Sequence, residues 1–158
     1  MIPDYRQPVH NIKEKEEQTM KIRLDDVMQS FSYPINAVYY YYIPLETVLM
    51  FVEGVIYGKA VHGISSEKDV AEHSEDFIKL PQIGEEGRRK VMEGFLKAIP
   101  QEEVKARITE MIGEHGLHRF EDAVREERLL IEWYNYRDEI YCEFSRRWSE
   151  ANGLDLIE

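Results

Sequence analysis

The spacing of hydrophobic positions changes several times along the chain, and each change marks an element. In "KIRLDDVMQSFSY", Leu24, Val27, Met28 and Phe31 recur at i, i+3, i+4 and i+7, the spacing of one helix face. A short helix over residues 21–33 is expected, ended by Pro34. In "NAVYYYYI" the period falls to two, which puts Tyr39 and Tyr41 on one face of a strand and Tyr40 and Tyr42 on the other. "PLE" supplies a turn and "TVLMFVE" a second strand, so an antiparallel hairpin is expected over residues 36–53. A further short strand is expected near residues 55–57. Ser65 or Ser66 is placed to cap an acidic, exposed helix over residues 67–75. "DFIKLPQI" reads as an extended segment crossing the core and stopped by Pro81.

From Glu85 onward the helical period dominates. Val91, Met92, Phe95, Leu96 and Ile99 line one face up to Pro100. Val104, Ile108, Met111 and Ile112 form the stripe of the next helix, which Gly113 or Gly116 ends. A short helix over residues 117–125 turns Leu117, Phe120 and Val124 inward. A long helix over residues 126–151 closes at Asn152-Gly153. On a wheel of 100° per residue, Leu129, Leu130, Trp133, Tyr134, Ile140, Tyr141, Phe144, Trp148 and Ala151 share an arc of roughly 140°. Glu132, Asn135, Glu139, Glu143, Arg146 and Glu150 fall on the opposite side, and Arg147 lies at the margin. Cys142 lies off the stripe and reads as an inert surface thiol.

Arg137 breaks the pattern, because it falls near the middle of the apolar arc. Desolvating a charge costs several kcal/mol, so Arg137 needs a carboxylate, several carbonyl acceptors or an aromatic face. Glu121 and Asp122, on the preceding short helix, are the nearest acids in sequence. A buried tie between two helices is one reading; an arginine at the floor of a cleft for an anionic ligand is the other. Tyr40 and Tyr42 carry the same pair of readings, as packing residues with wet hydroxyls or as a ligand platform.

Composition narrows the function classes. The chain has 158 residues, 43% hydrophobic and 32% charged, which suits one globular domain. Residues 1–20 read as a flexible polar extension, with Met20 an alternative start, ahead of a single domain over 21–158. The formal net charge of −11 repels nucleic-acid phosphates, and Arg88-Arg89-Lys90 and Arg146-Arg147 are only local exceptions. No apolar run long enough for a secretory signal or a membrane span is present. A single cysteine allows no intrachain disulfide and suits a reducing cytoplasm. No cofactor is expected, because Gly54, Gly58 and Gly63 make neither a dinucleotide nor a phosphate-binding loop. No metal is expected: His115 and His118 lack the glutamate of a zinc helix motif, and His62 and His73 stand alone. Asp25 and Asp26 suit a helix dipole, and spacing assembles no catalytic group.

Three stretches carry a resemblance: "KIRLDDVMQSF…YYYYIPLET", "IKLPQI…EEGRRKVMEGFLKAIP" and "GLHRFEDAV…EWYNYRDEIYCEFSRRWSEANGLD". Over about residues 21–156 the chain resembles the bacterial uncharacterised protein family 0158. The motifs fall on Arg119, Phe120, Asp122, Trp133, Tyr134, Arg137, Asp138 and Glu139. Where the family has glycine after Leu-Glu-Thr, this chain has Val48, so its hairpin turn must be built differently. The resemblance implies a bacterial cytosolic protein without catalytic residues to carry over, and it favours Asp122 over Glu121 as the partner of Arg137. Together these readings give an α+β domain, a small antiparallel hairpin packed on a mostly helical C-terminal portion. The expected function is a non-enzymatic interaction or regulatory module with a basic protein partner. The alternative is an enzyme or anion binder, its cleft between the hairpin and the last helix. Arg137, Asp122, Tyr40 and Tyr42 are the candidate contacts, while Phe120, Trp133, Tyr134 and Trp148 serve structure.

Overall fold

The structure, a computed structural model, describes residues 19–31 and 36–158. The expected extension lies outside the described residues except for Thr19 and Met20, and the expected helix end at Tyr33 and Pro34 lies outside them too.

The Tyr-rich segment forms β2 (Ala37–Tyr42), antiparallel to β3 (Thr47–Val52), with Tyr39 opposite Met50 and Tyr41 opposite Val48. A 3₁₀ turn over Ile43–Leu45 joins them, and Glu46, in the left-handed region at φ 48°, completes the turn that has no glycine. The chain then folds back into β4 (Val55–Ile56) through Glu53 and Gly54, both at positive φ. Two positive-φ residues match the right-handed twist of a tight hairpin. The extended "FIK" becomes β5 (Phe77–Lys79) on the far side of β2, so the sheet order is β4-β3-β2-β5. Between β4 and β5 stands α2 (Glu67–Glu72), shorter than expected and held by a reciprocal Ser66–Asp69 capping box.

The first element departs from expectation. Residues 21–33 are not one helix: β1 (Lys21–Arg23) precedes a single-turn α1 (Leu24–Met28) and a 3₁₀ turn over Gln29–Phe31. β1 pairs in parallel with β6 (Asp155–Ile157), and the Asp155 N–H donates to the Met20 carbonyl at 2.9 Å. The two ends of the domain satisfy each other's backbone groups, a pairing that overrides the local helical period.

The remaining helices are α3 (Gly84–Ala98), α4 (Glu102–His115), α5 (Phe120–Glu126) and α6 (Leu130–Ala151). The long helix begins at Leu130 rather than 126, because Arg128 takes the left-handed conformation at φ 60° and breaks the chain between α5 and α6. No described helix is long and apolar enough to cross a membrane.

Two cores result from the alternation along β2. Tyr39 and Tyr41 join Phe31, Phe95, Phe120 and Trp133 in the main core. Tyr42 joins Leu49, Phe51, Ile56, Ile64 and Val70 in a second core, against which Tyr40 and Phe77 pack. Phe120 and Trp133 meet edge to face at 4.8 Å, an arrangement that suits the ring quadrupoles. The stripe on α6 differs from the wheel at one end. Ala151 is exposed, while Ser145 and Ser149 are buried and donate to the carbonyls of Tyr141 and Arg146. A serine hydroxyl satisfied within its own helix is compatible with burial.

Candidate functional site

Arg137 projects from α6 with its guanidinium carbon 4.7 Å from the Tyr134 ring centre and 5.8 Å from that of Tyr141. Its Nε and Nη2 donate to Asp138 Oδ1 at 3.1 and 3.0 Å. The expected partners are therefore corrected. Asp122 accepts from Arg125 at 2.9 Å and faces Arg119 at 3.6 Å, while Glu121 accepts from the Tyr134 hydroxyl at 3.2 Å. The physical reason is exposure: the Arg137 side chain remains 29% exposed and Asp138 50%. A long arginine stem lies along the apolar face while its head reaches the edge, so an adjacent surface acid suffices.

Beneath Arg137 lies a small cavity of about 90 Å³, bounded by Phe31, Arg88, Met92, Glu121, Trp133 and Tyr141 as well. Arg88 Nη2 donates to the Phe31 carbonyl at 3.2 Å. The Trp133 indole N–H is buried and has no hydrogen-bond partner among the described residues. Burial raises the Tyr141 phenol above its ordinary value, with Arg88 and Arg137 pulling the other way.

Tyr40 and Tyr42 belong elsewhere. The Tyr40 hydroxyl donates to Glu67 Oε2 at 2.8 Å, and burial, reinforced by that carboxylate, pushes its pKa to about 12. Tyr42 stacks on Phe77 at 4.9 Å, and its hydroxyl lies 3.2 Å from His62 Nδ1. These groups tie the hairpin to the segment around residues 61–67. The structure does not bring them to Arg137, whose cavity is walled by α3, α5, α6 and Phe31. The expected cleft between hairpin and last helix, with Tyr40, Tyr42 and Arg137 together, is thus corrected to two separate environments. Among the structural residues, Phe120 and Trp133 are fully enclosed, and Trp148 packs half-buried against the main core. Cys142 is half-buried rather than on the surface, with its Sγ 3.7 Å from Met28 Sδ. Burial raises its pKa, so the thiol holds its proton more tightly.

Two features escaped sequence reasoning. One is a cleft of about 500 Å³ between α3 and α6, walled by Phe31, Ile83, Val91, Ile140 and Phe144. Gly87 lines it, where a Cβ would collide with Ile83; further along the same helix a Cβ at Gly94 would collide with the Tyr136 hydroxyl. Two glycines two turns apart on one helix were the available signal. The other is an open polar groove of about 600 Å³ on the outer side of α6, lined by Asn135, Asp138, Glu139, Cys142 and Arg146. Glu132, Glu139, Glu143 and Glu150 are exposed on that helix, and Ile131 beside them is 72% exposed. Arg146 and Arg147 turn to Glu143 and Glu158, which leaves the outer face acidic toward its N-terminal half. Among the described residues no group of three or more His, Cys, Asp or Glu is placed to hold a metal ion.

A four-stranded antiparallel sheet and a helical layer dominated by α6 define an α+β protein. Residues 17–157 match the Uncharacterised protein family (UPF0158), and the chain belongs to that family. No curated protein and no solved structure matches it.

Proposed function

We propose that the protein is a non-enzymatic interaction or regulatory module that engages a basic protein partner through the outer face of α6. The carrying observation is the exposed acidic row of Glu132, Glu139 and Glu150 on a helix whose other face is locked into the core by Trp133 and Tyr141, while Glu143 in the same row pairs with Arg146 and Arg147. A face held rigid before binding loses little entropy on association. The net charge of −11 extends the attraction, since a summed field steers oppositely charged partners. Ile131 supplies an apolar contact at the edge of the row. A cytoplasmic setting suits the single free thiol.

The test is capture from native cell extract on immobilised protein, followed by elution with rising salt. The screening length falls from about 30 Å at 0.01 M to about 3 Å at 1 M, so an electrostatic partner should elute steeply over that range. The Glu132→Lys/Glu139→Lys variant should fail to retain it. A partner held equally at high salt, or by the charge-reversed variant, contradicts the proposal.

A further inference from the structure

We propose that the cleft between α3 and α6 is a binding site for a small amphiphilic monoanion, a carboxylate carried on an apolar body. This site is independent of the acidic groove: Tyr136, Ile140 and Phe144 recur at i, i+4 and i+8 on a different face of α6 from Asn135, Asp138 and Glu139. Its volume of about 500 Å³ falls in the range of small-molecule pockets, roughly 300–1,000 Å³. Such pockets combine apolar walls with a few polar groups that fix orientation, and this cleft has that composition. Phe31, Ile83, Val91, Ile140 and Phe144 form the walls. Gln82 is already engaged, donating to the Ala37 carbonyl.

The charge of the occupant follows from what lines the cleft. The chain carries a net charge of −11, yet among the described residues the only charged one lining this cleft is a cation, Lys90. Glu86, one turn before Lys90 on α3, pairs with Arg89 instead. Lys90 is exposed and has no ion-pair partner among the described residues. A cleft with apolar walls and an exposed lysine among its lining residues is complementary to an anion with an apolar tail. Tyr136 also lines the cleft, its hydroxyl lying toward Gly94, which is not among the lining residues.

Octanoate and its neutral twin octanol are suitable probes, titrated into the full chain by calorimetry. Octanoate should bind at one site, and octanol about fivefold more weakly, the factor that a solvent-exposed ion pair of up to ~1 kcal/mol supplies. Lys90→Glu should weaken octanoate fivefold or more and leave octanol unchanged, while Lys97→Glu, exposed on the same helix outside the cleft, should change neither. Ile140→Trp should fill the cleft and remove both. If that variant fails to fold, the solvent-exposed Lys90→Glu still decides. Octanoate that does not bind, that binds no better than octanol, or that is indifferent to Lys90→Glu overturns the proposal. So does a chain that sediments as a dimer through this face and takes up no octanoate, which would make the occupant a second copy.

Discussion

On the hairpin, the outward phenols end on groups of the same chain, Tyr40 on Glu67 and Tyr42 against His62. On α6, the outward carboxylates of Glu132, Glu139 and Glu150 are exposed and have no ion-pair partner among the described residues. Both regions are amphipathic and both are anchored in a core, yet one turns its polar atoms back into the fold and the other presents them to solvent. A polar group satisfied internally has little left to offer a ligand, since binding must first break its bond. The hairpin hydroxyls are engaged within the fold and these carboxylates of α6 are not, the difference on which the proposed role of α6 rests.

The largest expected effect tests whether α6 is anchored as described. Trp133→Ala should cost about 3–5 kcal/mol in chemical denaturation, as truncation of a buried aromatic does. A loss under about 1 kcal/mol would mean that the inner face of α6 is not locked, and the contrast between the regions would fail. Next in size is Tyr40→Phe, which deletes a hydrogen bond to a carboxylate and should cost about 1–2 kcal/mol. Because its folded pKa is raised to about 12, the stability this phenol contributes is present below its ordinary value of 10 and is lost as pH rises through about 12. An alkaline absorbance titration of the folded protein should show a phenol titrating near 12 that Tyr40→Phe removes, beside the Tyr41 and Tyr141 phenols, which burial also raises. A Tyr40 that titrates with the bulk of the phenols would make the hairpin hydroxyl free for binding after all. The smallest effect concerns Arg137. Asp138→Ala should cost below about 1 kcal/mol, as for a pair that remains in contact with water. A loss of about 3–5 kcal/mol would mean that the Arg137–Asp138 pair behaves as a buried one rather than as a pair at the edge.

The local parts of the fold were legible in the sequence for local reasons. The two-residue alternation of the tyrosines placed Tyr39 and Tyr41 opposite Tyr40 and Tyr42, and the two cores preserve that division. Ser65 or Ser66 was visible as a cap because a serine oxygen acts on N–H groups within one turn, and Ser66 takes that role. The pairing of β1 with β6 was not visible, since its partner lies at the far end of the domain and the local period of residues 24–31 is helical. Arg137 falls within the apolar arc of the wheel, but a wheel places only the Cβ and not the end of a long side chain, which here reaches the edge and Asp138. Arg88 and Lys90 read as a basic cluster; only the packing of α3 on α6 shows one arginine at the small cavity and one lysine at the cleft. The two glycines lie inside an ordinary amphipathic pattern, and their spacing of two turns on one helix was the local sign of the close approaches to Ile83 and Tyr136.

The most direct measurement sets the two regions side by side. Capture from native cell extract is quantified by mass spectrometry on three immobilised proteins: the unaltered chain, Tyr40→Phe/Tyr42→Phe and Glu132→Lys/Glu139→Lys, each first shown to be folded. The account predicts that the tyrosine variant retains the partners of the unaltered chain and that the charge-reversed variant loses them. Partners lost with the tyrosine variant and kept by the charge-reversed one would contradict it.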